Sequence, residues 1–467
     1  MYLTVDQKVA QLPPDYPEEM LSAIRDEFVQ SGKTIVVLDD DPTGTQTSSD
    51  VTVLTSWRVA LITDELKKKP SILFILTNSR SLPESEAIGL AHEIGTNLNE
   101  AAKASGREIV VISRSDSTLR GHFPAEVDAL SETLNMTDAV IVLVPAFIEG
   151  GRITIDDVHY LIDNQTLVPV SDTPFANDVV FGYQNANLKQ WVEEKTKGSI
   201  SAQNVNSITI DDLRLGGPQR VIEKLQACPN GSVCIVNAVS YRDLEVLVMG
   251  LLRAEKSGKK FLYRSSATLV PIRAGMASGK IVTPLKQKTG SGNGSLVMVG
   301  SHVPKTTSQL SWLLANGTSK AIEVKVSEVL TSTDPLAKAT AISQQTDKWL
   351  ASGNDVVIYT SRQQEVGADS ASSLTINSTV SNFLVNILKF LTIRPKFIVA
   401  KGGITSSDLA SKGLSAETAL VLGPVIPGVP VWKLDAKSKF PEISYVVFPG
   451  NVGDETALLD VCRKLDV

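Results

Sequence analysis

The sequence predicts an α/β protein of two domains, each a mainly parallel sheet layered with helices. Three observations predict it: a length of 467 residues, too great for one ordinary core; short β-branched runs that stop abruptly at polar or turn-forming residues; and helical patterns between those runs. Hydrophobic residues make up 42% and charged residues 21%, a globular balance that excludes a disordered or fibrous chain.

The opening element is a helix. Pro17 precedes Glu18–Gln30, where Met20, Leu21, Ile24 and Phe28 recur at helical spacing and make a face that can pack on a sheet. Strands are expected at Thr34–Leu38, Ser71–Leu76, Ile109–Ile112, Ala139–Val144 and Ser232–Val236, with helices at Ser85–Ala104 and Pro124–Leu134 among them. Gly290 to Ser295 is the most linker-like stretch, so the division predicted is residues 1–289, a Gly/Ser-rich linker at 290–295, and residues 296–467. Beyond it, strands at Leu296–Val299, Asp355–Tyr359, Lys396–Ala400 and Ser444–Phe448 and a helix at Thr379–Leu391 repeat the theme, without an internal sequence repeat. The Ser-rich stretch Ser370–Ser381 reads either as a mobile loop or as the lead-in to that helix.

Composition narrows the partners. A net charge of -6, no long basic run and 5% aromatics argue against nucleic acid. Ala139–Ile148 contains Pro145 and falls well short of the roughly 20 apolar residues of a membrane span. Cys228, Cys234 and Cys462 are too few for a disulfide framework and lack zinc-ligand spacing, so reduced thiols are expected. Asp6, Lys8, Asp15, Glu18 and Glu19 break any signal-peptide core, which makes the cytoplasm the expected location.

In open α/β sheets ligands gather beyond the carboxyl ends of strands, and that is where the unusual residues stand. After the first strand come Asp39, Asp40, Asp41, Pro42, Thr43 and Gly44: adjacent acids whose repulsion a cation or a hydroxyl-rich ligand would relieve, or else a solvated turn. Ile109–Ile112 runs into Ser113, Arg114, Ser115, Asp116, Ser117, Thr118, Leu119, Arg120, Gly121 and His122, which suits an anionic polyol or, alternatively, an internal salt-bridge turn. A third loop, Pro145–Asp157, adds Glu149, Gly150, Gly151 and Arg152. In the second half, glycine turns at Gly300-Ser301-His302, Gly402-Gly403-Ile404-Thr405 and Gly450-Asn451-Val452-Gly453 are of the kind that approach phosphates. Ser31-Gly32-Lys33-Thr34 is no Walker A motif, because Glu27 stands where its first glycine belongs and the strand follows it. The four histidines lack metal-ligand spacing, and only His122 and His302 stand in candidate loops.

These segments resemble the four-carbon acid sugar kinase family, which phosphorylates threonate, erythronate or 3-oxo-tetronate with ATP, and the likeness covers most of the chain. The family's DDxTG matches Asp40, Asp41, Thr43 and Gly44; its DSTLRG matches Asp116 to Gly121 without a change; its PAFxxxGR matches Pro145, Ala146, Phe147, Gly151 and Arg152. Its GSxSxxTxxQ is met at Gly300, Ser301, Thr306 and Gln309, its GGDT at Gly402, Gly403 and Thr405, its GPxxxPGVP at Gly423, Pro427, Gly428 and Pro430, and its GNFG at Gly450 to Gly453. Val303 replaces a serine, Ile404 the GGDT aspartate, Pro42 an aromatic residue, Arg114 a lysine and His122 an asparagine.

The resemblance implies a sugar-acid-binding N-terminal domain, a C-terminal domain for ATP with Mg²⁺, and an active site in the interdomain cleft. With the loops above, it makes Asp40, Asp41 and Asp116 the catalytic candidates, one of them the base. Thr43, Gly44, Arg114, Ser117, Arg120, Gly121, His122 and Arg152 become the substrate-binding candidates, with Arg120, helped by Arg114, clamping the carboxylate. Gly300, Ser301, His302, Thr306, Gly402, Gly403, Ile404, Thr405, Gly428, Gly450, Asn451 and Gly453 are the nucleotide-binding candidates. The partners expected are a small sugar acid and ATP, with a homodimer left open. Two rival readings are a sensor that binds without turnover, favoured by the changes at Val303 and Ile404, and a hydroxyacid dehydrogenase, weakened by the lack of a helix-opening GxGxxG.

Overall fold

The structure, a computed structural model, describes residues 3–278, 292–363, 365, 367 and 370–466. The central strands form where β-branched runs are buried on both faces. In chain order they are β1 (Thr34–Asp39), β2 (Val51–Leu54), β3 (Ile72–Leu76), β4 (Ile109–Arg114), β5 (Val140–Val144), β6 (Arg152–Ile155), β7 (Val158–Asp163), β8 (Thr166–Pro169), β9 (Asn206–Ile208), β10 (Val233–Val236) and β11 (Phe261–Ser265). They continue as β12 (Leu296–Val299), β13 (Lys320–Val324), β14 (Val356–Thr360), β15 (Ile398–Lys401), β16 (Thr418–Ile426), β17 (Val429–Leu434) and β18 (Ser444–Phe448).

The chain divides into two compact units, Met1–Asp40 with Trp57–Ser278, and Asp41–Ser56 with Gly279–Val467. This differs from a single cut at 290–295: β2 pairs antiparallel with β16, so a segment from the N-terminal part belongs to the second unit. Gly290 and Ser291 of the expected linker lie outside the described residues.

The first unit is a seven-stranded parallel sheet in the order β3-β1-β4-β11-β5-β10-β9. From β1 the chain next joins the sheet on one side, at β3, whereas from β4 it leaves toward the other, at β5. The reversal therefore falls between β1 and β4, where a crevice opens at the carboxyl ends of an open α/β sheet. The helix Glu84–Ser105 fits its expected span and buries Ala87, Ala91, Ile94, Gly95, Leu98 and Ala101, a stripe at helical spacing. The helix expected at Glu18–Gln30 is Leu21–Ser31, preceded by a short helix at Val5–Val9; it buries Ile24 and Phe28 and ends at Gly32, whose φ of +66° suits a helix C-cap. A separate three-stranded meander, β6-β7-β8, covers Ile153, Ile155 and Leu167.

The second unit orders its strands β13-β14-β12-β15-β18-β17-β16-β2. The first five are parallel, and β17, β16 and β2 extend them antiparallel. Its reversal falls between β12 and β15, each of which ends in a glycine turn. β16 and β17 escape a sequence reading because Gly423, Pro424 and Pro430 look like breakers; Pro424 faces Pro430 between two register shifts of the ladder. The Ser-rich stretch is helical, the helix spanning Ser370–Phe390. Among the described residues no helix is long and apolar enough to cross a membrane.

Candidate functional site

The first unit gathers its charges at the β1/β4 reversal. Register sets the innermost pair: Asp39 lies opposite Arg114, and Arg114 Nη1 donates to Asp39 Oδ1 at 3.1 Å. Arg114, expected as a helper of the clamp, is therefore buried and paired with Asp39 within the sheet. Asp40, 3% exposed, accepts from Arg80 Nη2 at 3.0 Å and from Ser115 Oγ at 2.6 Å. The other arm of Arg80 lies 3.8 Å from Asp116 Oδ1, while Arg120 Nε (2.7 Å) and the Thr118 hydroxyl donate to Asp116 Oδ2. Two carboxylates and two guanidiniums thus form one chain, Asp40–Arg80–Asp116–Arg120.

Burial by itself would raise the Asp116 carboxyl, but Arg120, Arg80 and the Thr118 hydroxyl overcome it and hold the group far below the usual carboxylate range. Arg120 also lies 3.5 Å from Asp178 and stacks 5.0 Å over the Phe175 ring. Arg152 is different. Its side chain donates to the Gly150 carbonyl, its Nε is buried without a hydrogen-bond partner, and no ion pair reaches it among the described residues. Burial lowers its pKa, with Asp116 and Arg120 as its charged neighbours. A partly desolvated guanidinium without a carboxylate is suited to a ligand anion.

The rest of the Asp116–Gly121 loop is held by its backbone. His159, fully buried, donates from Nε2 to the Ser117 carbonyl at 2.8 Å and accepts the Thr154 hydroxyl at Nδ1, also 2.8 Å. The Tyr183 hydroxyl donates to the Thr118 carbonyl at 2.7 Å. His122 is buried as well, its Nε2 facing the carbonyls of Ser79 (3.2 Å) and Leu82 (3.0 Å); this ties the loop to the turn that carries Arg80 and gives the histidine a framework role here.

Burial pushes His159 down to about 4, so the folded protein keeps it neutral. The unfolded chain protonates it from about pH 6.5 downward, so stability is lost as pH falls from there to about 4, on the order of 3 kcal/mol in all. His159→Gln keeps a donor without the titration. Denaturation curves at pH 7 and pH 4.5 are expected to show the variant losing less stability than the wild type over that interval.

In the second unit three glycine turns converge at the carboxyl ends of neighbouring β12, β15 and β18. Any Cβ on Gly300 would collide with Thr405 Oγ1, and one on Gly450 would stand 2.9 Å from Ser301 Oγ. Gly402, at φ +123°, lies against Ser301, and Thr306 Oγ1 donates to the Gly450 carbonyl at 3.0 Å. Gln309 Nε2 donates to the carbonyls of Val452 (2.9 Å) and Asp454 (2.7 Å), shaping the turn that contains Asn451 and Gly453. Gly428 makes the β16–β17 turn beside Val452 and Gln46. Ile404 is exposed, and burial and Arg362 lower the pKa of His302.

Asp41, Thr43 and Gly44 belong to this second unit. Asp41 accepts the Thr43 amide at 2.8 Å, capping the short helix Pro42–Thr47, and its Oδ2 would be 2.7 Å from a Cβ on Gly403. The run of three aspartates is thus shared out: Asp39 to a sheet arginine, Asp40 to the acid-and-guanidinium cluster, Asp41 to the glycine turns.

Residues 35–272 match the family of sugar-binding N-terminal domains, and residues 296–458 match its nucleotide-binding C-terminal domain. The chain belongs to the four-carbon acid sugar kinase family. This kinase-family chain is 26% identical over 314 residues to a D-erythronate kinase of Heliobacterium modesticaldum, covering 64% of the chain and 62% of that protein. It is 30% identical over 158 residues to a D-threonate kinase of Bordetella bronchiseptica, covering 32% of the chain and 36% of that protein. The chain therefore spans less than two thirds of the length of each of these curated relatives. The crystal structure of a Haemophilus influenzae protein of the DUF1537 family aligns with a TM-score of 0.60 at 18% identity, over 92% of this chain and all of that one, a likeness of fold.

Sequence reasoning missed four residues of this family member's clusters. Arg80 stands in the turn after β3, beyond Thr77, Asn78 and Ser79, so the strand-end rule that found the other loops reaches it too. Arg264 sits inside β11, where Tyr263-Arg264-Ser265 masks the strand. His159 carries no local signal beyond being a histidine. Lys401 ends β15 fully buried, its Nζ donating to the Pro449 carbonyl at 2.6 Å and lying 3.7 Å from the centre of the Phe448 ring; burial lowers it to about 6.

Proposed function

We propose that this chain transfers the γ-phosphoryl group of ATP to a hydroxyl of a four-carbon sugar acid such as threonate, erythronate or 3-oxo-tetronate. The observation that carries the reading is the Asp40–Arg80–Asp116–Arg120 chain with Arg152 beside it. Arg152 and Arg120 receive the substrate carboxylate. Asp116, locked in its charged form, accepts hydrogen bonds from substrate hydroxyls, and Asp40, fixed by Arg80 and Ser115, is placed to take the proton of the attacking one. The arrangement supplies what phosphoryl transfer asks of a protein, which is mainly positioning and electrostatics.

The second unit supports the nucleotide half. Bare glycines at Gly300, Gly402, Gly403 and Gly450 keep side chains out of the turns, so that a phosphate can approach the backbone where any Cβ would meet Thr405, Ser301 or Asp41. The residues fit a magnesium nucleotide, because Asp41 sets a carboxylate against Gly403 and Ser301, Thr306 and Thr405 bring hydroxyls to the same turns. Magnesium, when bound, neutralises phosphate charge.

Purified protein with ATP, Mg²⁺ and a panel of four-carbon acids is expected to release ADP with at least one of them. Acid-dependent thermal stabilisation without ADP would favour a binding-only role. With the accepted acid, Arg120→Ala is expected to raise KM by about 10- to 100-fold, the worth of a charge-assisted hydrogen bond. An unchanged KM and kcat would remove Arg120 from the clamp.

A further inference from the structure

We infer that Arg264 and Ser115 form a positioning pair for Asp40, in which Arg264 aims the Ser115 hydroxyl so that the Asp40 carboxylate is held at both oxygens. The inference rests on the proposed function in taking Asp40 as the carboxylate that meets the reacting hydroxyl.

Arg264 is 4% exposed and reaches the cluster through strand pairing, since it lies opposite Ser113 in the parallel β4–β11 ladder. Its Nη1 donates to Ser113 Oγ at 2.7 Å and to Glu126 Oε2 at 3.3 Å; its Nη2 donates to Ser115 Oγ at 2.8 Å. A guanidinium can only donate, so the Ser115 oxygen accepts from Arg264 and keeps its single proton for another partner. Two acceptors are within reach, Asp40 Oδ2 at 2.6 Å and the Arg120 carbonyl at 3.0 Å. The shorter contact to the charged oxygen takes the proton. Arg80 holds the opposite oxygen of Asp40 at 3.0 Å.

Without the Ser115 hydroxyl, Asp40 is left to pivot about Arg80. The same contacts explain the close approach of Gly121: a Cβ there would stand 2.5 Å from Ser115 Oγ, 2.7 Å from Arg264 Nη2 and 3.2 Å from Asp40 Oδ2. Arg264 therefore acts through Ser115, to which it donates. Its pairing with Glu126, which also accepts the Ser79 hydroxyl, makes it a framework residue too. Arg264→Gln can thus unfold the protein by stranding Glu126, and Ser115 carries the test.

Steady-state kinetics on Ser115→Ala are expected to show kcat at least about tenfold lower with the sugar-acid KM within about threefold, and Ser115→Thr, which restores the hydroxyl, within about threefold of wild-type kcat. Wild-type kcat in S115A, KM rising in step with the loss of kcat, or S115T as impaired as S115A would each overturn the inference. A wild-type protein that releases no ADP with any acid fails the functional reading alone. Crystal structures of wild type and S115A then decide the pair: an Asp40 carboxylate rotated about its Arg80 contact in the variant supports it, and Asp40 unmoved overturns it.

Discussion

Asp116→Asn is expected to abolish measurable turnover and to cost the folded chain about 3 kcal/mol or more. The carboxylate holds Arg120 Nε at 2.7 Å, faces Arg80 at 3.8 Å and is a charged neighbour of Arg152, so the amide leaves several partly buried guanidiniums repelling one another. Arg80 then loses one of its anchors, and with it the link between the two carboxylates. The sign of the pH dependence follows from the depressed carboxyl. Its contribution is complete above the unfolded value near 4 and is lost only as pH falls below that toward the much lower folded value. Urea denaturation of wild type and D116N is therefore expected to show a constant stability gap above about pH 5, narrowing below about pH 4. ADP release measured alongside separates loss of chemistry from loss of fold.

Gly121→Ala is expected to remove sugar-acid binding and to destabilise the first unit by about 2–4 kcal/mol. Two costs combine. A φ of +126° is a conformation that side chains rarely adopt, and the new methyl would press on Ser115, Arg264 and Asp40 at once. Gly106→Ala is the matched comparison, since Gly106 has a φ of +64° but nothing within 4 Å of its missing Cβ. It should lose about 1 kcal/mol and keep acid binding. Thermal shifts with and without the acid measure both effects, and equal behaviour of the two variants would show that backbone strain, not crowding of the cluster, dominates at Gly121.

Much of the candidate site was legible along the chain because its residues follow strands. Asp40 after β1, Asp116–Gly121 after β4, and the glycine turns after β12, β15 and β18 stand where apolar runs stop, and each is a local pattern. The helix Glu84–Ser105 was legible for a similar reason, its buried stripe repeating every three or four residues. The reading failed where the signal is not local. β11 carries an arginine buried by its neighbours, β16 and β17 tolerate prolines because their ladder is interrupted at register shifts, and β2 finds its partner far along the chain, Val51 opposite Val421 and Leu54 opposite Thr418.

The partners hardest to foresee come from other strands and turns. Arg114, expected at the substrate, pairs with Asp39 because β1 and β4 are in register. His122, expected beside it, faces the carbonyls of Ser79 and Leu82. Asp40 and Asp41, inseparable in sequence, belong to different compact units, since β2 draws Asp41 and its short helix into the second sheet.

Residue order was enough to set the chemistry of each strand end: acids and arginines in the first half, glycines and hydroxyls in the second. Strand order settled which of those ends are neighbours, bringing Arg80, Ser115 and Arg264 around Asp40 and Ser301, Gly402 and Gly450 around one another. Propensity and turn chemistry act over a few residues and can be read there. Register and sheet order arise from pairing between distant segments, and only the folded chain contains them.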